Sequence, residues 1–237
     1  MKRTEGLQRL KTFELKISQR DFLVYHFLFR DLQYAIKKYA SGKVLDIGCG
    51  NKPYDSLFQQ VSEEYIGCDI VQSSENRVDV ICEAAKLPFE SATFTSVFTT
   101  QVIEHVAETE AMLNEAFRVL KPNGTIIVSA PFAWELHEAP YDFYRFSKYG
   151  LKHVLERSGF EVLEILPNGG KWAALFQLFL NVVYTSFHKK SLFVKLQKFL
   201  FIHLKAVALV NWLALIIDRN FYDDILTLNY VVVARKP

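Results

Sequence analysis

The sequence predicts an α/β protein built on a doubly wound, mostly parallel sheet, and three observations predict it. Short runs of β-branched and aromatic residues alternate with stretches of helical spacing, the rhythm of βαβ units. A glycine loop, GCGNKPY, follows the first of these runs directly. The second run ends on an acidic residue, Asp69. Composition agrees: of 237 residues, 50% are hydrophobic and 23% charged, which excludes low-complexity, collagen-like and disulfide-dense classes. The net charge of +2 argues for neither a nucleic-acid nor an acidic partner at the level of the whole chain.

Residues 1–41 read as a helical lead-in. From Leu7 to Tyr39 apolar residues recur at three- and four-residue spacing, as in Tyr25, Leu28, Phe29, Leu32, Ile36 and Tyr39. Ser41-Gly42 ends the helix, and KVLDI (43–47) is the first strand. Helical spacing follows the glycine loop. The second strand lies at Tyr65–Cys68 and the third at Arg77–Glu83. FTSVFTT (94–100) is the fourth, followed by a helix over 110–120 that stops at Lys121-Pro122-Asn123-Gly124. TIIVSAP (125–131) is the fifth strand, 148–159 a short helix, FEVLEIL (160–166) the sixth strand and LNYVVVAR (228–235) the last. The core therefore comprises 42–167 and 226–237, and 168–225 is a helical insertion within a single domain, since one strand is ordinarily joined to the next by far fewer residues.

The insertion concentrates the charge bias. Residues 168–217 carry six lysines (171, 189, 190, 195, 198 and 205) and no arginine, aspartate or glutamate, leaving the rest of the chain net negative. Long apolar faces beside lysines suit two readings: a helix lying on an anionic membrane surface, or a hairpin packed on the sheet or on a second subunit to form a homodimer. The longest uncharged run, Trp172–Phe187, is shorter than the roughly 20 residues of a spanning helix, so no transmembrane helix is predicted. The first residues, MKRTEGLQRLKTFELK, are charged throughout and lack the apolar stretch of a signal peptide; with Cys49, Cys68 and Cys82 in no metal-ligand spacing, the expectation is a cytoplasmic location, core cysteines and no metal.

The glycine loop carries the first chemical signal. Gly48 and Gly50 at a strand end let backbone N–H groups approach a ligand. Pro53 stands where a dinucleotide fingerprint needs its third glycine, which argues against NAD(P). Asp46, two residues before Gly48, suits the amino end of a zwitterion, and Asp69, 19 residues after Gly50, suits a pair of ribose hydroxyls.

Taken in order, VLDIGCG (44–50), YIGCD (65–69), EAAKLPF (83–89), QVIEHV (101–106) and RVLKPNGTIIVSAP (118–131) resemble the class I S-adenosylmethionine-dependent methyltransferases over about Ser41–Leu166 and the last strand. The resemblance implies a Rossmann-like, seven-stranded sheet with S-adenosylmethionine over its first strand ends. It assigns Asp46, Gly48, Cys49 and Gly50 to the methionine side, Asp69 and Ile70 to the ribose, Glu83 and Ala84 to the adenine, and Gln101 to a place beside the cofactor. Two departures stand out: Lys52 in place of a common third glycine, and Thr95 in place of the aspartate of a usual Phe-Asp pair.

Methyl transfer from a sulfonium is an in-line displacement that needs alignment first, and a base only where the acceptor must lose a proton. Two histidines in strand-end loops are base candidates, His137 foremost and His105 second. The loop around His137 also supplies Trp134, Glu138, Tyr141, Tyr144 and Arg145, aromatic faces and hydrogen-bonding groups apt for a small-molecule or glycan acceptor. Its EAPYDFYRFS (138–147) resembles methyltransferases of cell-surface polysaccharide and glycolipid assembly, which implies O-methylation of a sugar, lipid-linked where the insertion meets membrane. Two rival readings are a cofactor-binding partner subunit without turnover, and a nucleic-acid methyltransferase. The latter is opposed by the missing (D/N)PP(Y/F)-type motif and the lack of an arginine-rich face.

Overall fold

The computed structural model describes residues 15–188, 191–203 and 206–237. Seven strands form one sheet: β1 (Gly42–Ile47), β2 (Ser62–Asp69), β3 (Val80–Ile81), β4 (Phe94–Thr100), β5 (Leu120–Pro131), β6 (Glu161–Asn168) and β7 (Asn229–Arg235). Their order is β3-β2-β1-β4-β5-β7-β6, with β7 antiparallel to both neighbours and the other pairings parallel. The predicted doubly wound, mostly parallel architecture is the one observed.

Alternation along the strands explains why the sheet is covered on both faces. Leu45, Val97, Ile126 and Val232 point to a core shared with α3 (Thr109–Val119) and α4 (Lys148–Arg157). Their neighbours Val44, Phe98, Ile127, Val231 and Val233 point the other way, against Leu28, Leu32 and Ile36 of α1 (Phe22–Tyr39) and Phe58 of α2 (Asp55–Phe58). The amphipathic stripe predicted for the lead-in is thus real from Phe22 onward. Residues 15–21 form an extended and turning approach, and the predicted start at Leu7 lies outside the described residues.

Three elements differ from expectation, each for a local reason. β3 is two residues long and not seven, because its flanks serve as ligands for neighbours: Asp79 accepts from Gly67 N (2.7 Å) and pairs with Lys52, and Arg77 pairs with Asp55 (2.8 Å). The helix after the glycine loop shrinks to α2, since Lys52 at φ +52° and Pro53 keep the chain turning until Tyr54. β5 starts at Leu120 and not Thr125, because Leu120 already pairs with Phe94, and Asn123 and Gly124 pair with Lys236 beside the last strand.

The insertion holds α5 (Lys171–Thr185), α6 (Leu192–Lys198) and α7 (Ala206–Asn220). It packs on α1, and not on the sheet: Ala173, Ala174 and Ala214 form a third core with Phe22, Leu23, Val24 and Phe27. Small residues at that contact let the helices approach closely. Buried polar groups fix the arrangement. Asp218 of α7 accepts from Gly170 N and Ala173 N, both at 3.0 Å, so one carboxylate caps the start of α5. Gln177 of α5 donates to Arg20 O (3.0 Å) and accepts from Val24 N (3.4 Å), and Asn211 of α7 donates to Ile17 O and Gln19 O (2.7 and 2.9 Å). Lys189, Lys190 and Lys205 lie outside the described residues.

Candidate active site

The site lies at the carboxyl ends of the strands, as the topology requires. In-register pairing of Asp46 with Gly67 and Ile47 with Cys68 sets the glycine loop beside the end of β2. Gly48 N and Cys49 N then donate to Cys68 O (2.8 and 3.0 Å), and Gly50 N donates to Asp69 Oδ2 at 3.0 Å. Gly48 (φ +77°) and Gly50 (φ +51°) both need the left-handed region, and a Cβ on Gly48 would meet Val102 Cγ2 at 2.3 Å.

Two cavities meet over this loop. The first, of about 320 Å³, is lined by Gly48, Asp69, Ile70, Glu83, Ala84 and Gln101 among others, so six residues named for the cofactor converge on it. The second, of about 260 Å³, takes Asp46, Cys49 and Gly50 together with Trp134, His137, Tyr25, Tyr54 and Asn229. Gly48, Gln101, His105 and Glu138 line both and mark the junction. Two of them, Gln101 (φ +54°) and Glu138 (φ +49°), adopt a backbone conformation that costs energy for a residue with a side chain, and such strain gathers at functional sites.

Asp46 is buried at the loop. Burial pushes its carboxyl up to about 7, against the opposing pull of the Tyr65 hydroxyl bonded to Oδ2 and of Lys52. Its Oδ1 is buried with no hydrogen-bond partner, an acceptor that a ligand ammonium would satisfy. Lys52 does not face either cavity. It turns to Asp79 beneath β2 and stacks over Tyr65, so the departure from a third glycine leaves the ligand side of the loop unobstructed.

Glu104 and His105 sit on one 3₁₀ turn, Ile103–His105, after β4. His105 is buried and its Nδ1 meets Tyr141 O at 2.7 Å. Its Nε2 faces Glu104 Oε1 at 3.8 Å and Glu138 Oε2 at 3.9 Å. The ring of His137 stands edge-on to that of His105, with centroids 4.7 Å apart. Glu104 is the residue that sequence reasoning passed over, though it was in plain view in QVIEHV: its side chain is fully buried, and neither oxygen has a hydrogen-bond partner. Burial raises its carboxyl to about 8 despite the nearby Arg145.

The loop after β5 needs correction in three places. Tyr141, Tyr144 and Arg145, expected to contact substrate, line neither cavity. Arg145 clamps Asp142 through two bonds (2.6 and 2.7 Å) and donates to Glu135 O (2.9 Å). Tyr144 donates to Ala107 O (2.9 Å), and Tyr141 offers its carbonyl to His105. These groups hold the loop's shape because a 16-residue connection carrying many backbone polar groups must satisfy them internally. Asp142 also accepts from His137 N (2.9 Å) and lies 3.2 Å from His137 Nδ1. Although burial opposes the ion, Arg145 and that N–H hold Asp142 down at about 2. Trp134, His137 and Glu138 do reach the cavities, as expected.

Residues 45–128 match the methyltransferase domain family Methyltransf_11. That segment, from β1 into β5, is similar to a methyltransferase domain, and the seven-stranded sheet it belongs to has the class I methyltransferase fold. A probable S-adenosylmethionine-dependent methyltransferase of Mycolicibacterium smegmatis is 31% identical to the chain over 141 residues, 54% of this chain and 55% of that protein. The chain thus spans about half the length of that relative. A ubiquinone biosynthesis O-methyltransferase of Azorhizobium caulinodans is 27% identical over 187 residues, 65% of this chain and 73% of that one. Among solved structures, phosphoethanolamine N-methyltransferase 2 of Haemonchus contortus in complex with S-adenosyl-L-methionine superposes with a TM-score of 0.54 at 16% identity, covering 92% of this chain and 57% of that one. At that identity the likeness concerns the fold. The matched segment supplies the glycine loop, Asp69, Glu83 and His105, while the wall formed by Tyr25, Trp134, His137 and Asn229 comes from outside it.

Proposed function

We propose that the chain binds S-adenosylmethionine in the first cavity and transfers its methyl group to a hydroxyl of a small-molecule or glycan acceptor in the second. The single observation that carries this reading is the junction: one cavity fits a nucleoside, the other adjoins it through Gly48, Gln101, His105 and Glu138. The cofactor supplies an electrophilic methyl on a sulfonium, open to in-line displacement. Asp69 accepts hydrogen bonds from vicinal hydroxyls, Asp46 Oδ1 receives an ammonium, and Gln101 is fixed by its bond to Ser129 Oγ (3.1 Å). His137, oriented by Asp142, takes the acceptor's proton at its ring. Tyr25, Tyr54 and Trp134 give aromatic faces and Asn51, Glu138 and Asn229 give polar groups, the mixture that holds a polyhydroxyl ring. The Azorhizobium relative's name, an O-methyltransferase, supports oxygen as the receiving atom.

Calorimetry tests the donor half. S-Adenosylhomocysteine is expected to bind and NAD not to. Asp69→Ala should weaken binding at least about tenfold, because hydrogen bonds to a carboxylate contribute about 1.5–3 kcal/mol each. A cation at Asp46 favours its ionised form and a proton competes with it. Affinity should therefore rise as pH climbs toward about 7 and level off above. Asp46→Asn should bind more weakly with a flat profile. Unchanged affinity in Asp69→Ala would remove its assigned role. The acceptor half is tested by incubating cell polysaccharide and lipid extracts with enzyme and isotopically labelled donor, then locating the mass shift.

We propose further that the outer face of the insertion rests on an anionic membrane. Leu192, Phe193, Leu196 and Phe199 on one segment and Leu209, Trp212 and Ile216 on the next are 39–83% exposed, with Lys195 and Lys198 among them. No single helix among the described residues is long and apolar enough to cross a membrane. A surface position is what such a face supports, and each engaged lysine adds about 1 kcal/mol. Changing Lys189, Lys190, Lys195 and Lys198 to Gln should reduce flotation with anionic liposomes while sparing S-adenosylhomocysteine affinity. A stable dimer indifferent to lipid would overturn this and make the face a subunit interface.

A further inference from the structure

We infer that Glu104, His105 and His137 bind a divalent transition-metal ion at the junction of the two cavities, where it would hold an acceptor through two neighbouring oxygens. This rests on the methyl-transfer reading above and deepens it by naming the acceptor class: a vicinal diol, catechol or hydroxy-carbonyl.

The first ground is geometric. One candidate ligand atom from each of the three residues lies within 4.8 Å of the others. Ligand atoms about 2.1 Å from a metal sit roughly 3.0–3.4 Å apart, so the set would contract by about 1.5 Å on binding an ion. The second ground is Glu104 itself. A carboxyl group that is fully buried, with neither oxygen hydrogen-bonded and with His105 Nε2 3.8 Å from Oε1, leaves unsatisfied acceptors that a cation standing between the two side chains would engage. The third is how the two rings are held. His105 Nδ1 meets a backbone carbonyl, and His137 Nδ1 lies 3.2 Å from the Asp142 carboxylate and 3.3 Å from both Glu135 O and an Arg145 nitrogen; a carbonyl or carboxylate on the outer nitrogen is the pattern that orients a metal-binding imidazole. Glu138 Oε2, 3.9 Å from His105 Nε2, adds a carboxylate at the cavity edge.

The donor set selects the ion. Two imidazoles and a carboxylate suit zinc, cobalt, manganese or ferrous iron, whereas magnesium and calcium take oxygen ligands. Such an ion lowers the pKa of a coordinated hydroxyl. With His137 coordinated, water takes the acceptor's proton in place of the His137 ring, the acceptor's oxygen forms the new O–CH₃ bond, and the sulfonium S–CH₃ bond breaks to leave a neutral thioether. The second oxygen of the acceptor completes the chelate and sets which hydroxyl faces the donor.

Cobalt(II) titration of the chelator-treated full chain, followed by its visible d–d absorption, tests the site without any turnover. One equivalent is expected to bind, displaced by zinc. Glu104→Gln and His137→Ala should each weaken binding at least about tenfold. Asp142→Asn, which removes an orienting group and no ligand, should weaken it about 10- to 100-fold. His153→Ala, on the exposed side of α4, should leave the titration unchanged. The circular dichroism spectrum and thermal melt of each variant report that the fold persists. Absence of a saturable cobalt spectrum, or a spectrum that survives His105→Ala and His137→Ala, would overturn the site. Product binding without cobalt binding removes only this inference, whereas cobalt binding without product binding removes the methyl-transfer reading instead.

Discussion

His137→Ala is expected to lower turnover about 10²- to 10⁴-fold while changing S-adenosylhomocysteine affinity less than about threefold. The asymmetry follows from position: His137 lines the second cavity and not the first, and its ring meets that of His105 at the junction. His105→Ala should depress both turnover and donor affinity, since its ring borders both cavities. Asp142→Asn should reproduce much of the His137 defect, because Asp142 orients that ring and meets Arg145 through two bonds. Steady-state kinetics across pH, paired with calorimetry, separates these outcomes. Full activity in His137→Ala with loss in His105→Ala would move the base to His105.

Gly48→Ala should nearly abolish donor binding and lower thermal stability. A side chain at φ +77° costs about 1–2 kcal/mol in backbone strain alone. The added Cβ would stand 2.3 Å from Val102 Cγ2, and overpacking of this kind costs about 1–3 kcal/mol more. Val102 precedes the Glu104–His105 turn, so relief by moving it would displace the junction, while relief by moving the loop would carry Gly50 N away from Asp69. A thermal melt together with a binding isotherm checks both consequences, and a variant with unchanged values in each would show that the loop tolerates the clash.

The sheet was legible because its strands announce themselves by alternation and its central members are apolar on both faces, as Val44-Leu45 and Ile126-Ile127 show. β3 was overread, since an edge strand is judged by its partners, and Asp79 and Arg77 spend their side chains on loops beside it. Asp69 was readable from its distance to Gly50, whereas Ile70, Glu83, Ala84 and Gln101 came from the family resemblance. The acceptor wall was not: Tyr25 and Asn229 are 204 residues apart in the chain and meet only after folding. Tyr25 was legible as part of a helix stripe but not as a lining residue, and composition could not distinguish Trp134, which faces the cavity, from Arg145, which braces the loop. Glu104 gave no signal of its own, because a glutamate beside a histidine reads the same whether it meets water or a sealed interior.

The bond from Val24 N to Gln177 has a thermodynamic consequence. Val24 and Tyr25 wall the acceptor cavity on one side of α1, and Gln177 grips the same turn from the insertion. Whatever occupies the outside of α5 and whatever occupies the cavity therefore lean on a single helical partition, and a ligand that shifts that partition from one side alters the free energy of filling the other. Linkage of this kind is reciprocal, so a tighter hold on the outer face and a tighter hold on the acceptor would be two measurements of the same coupling.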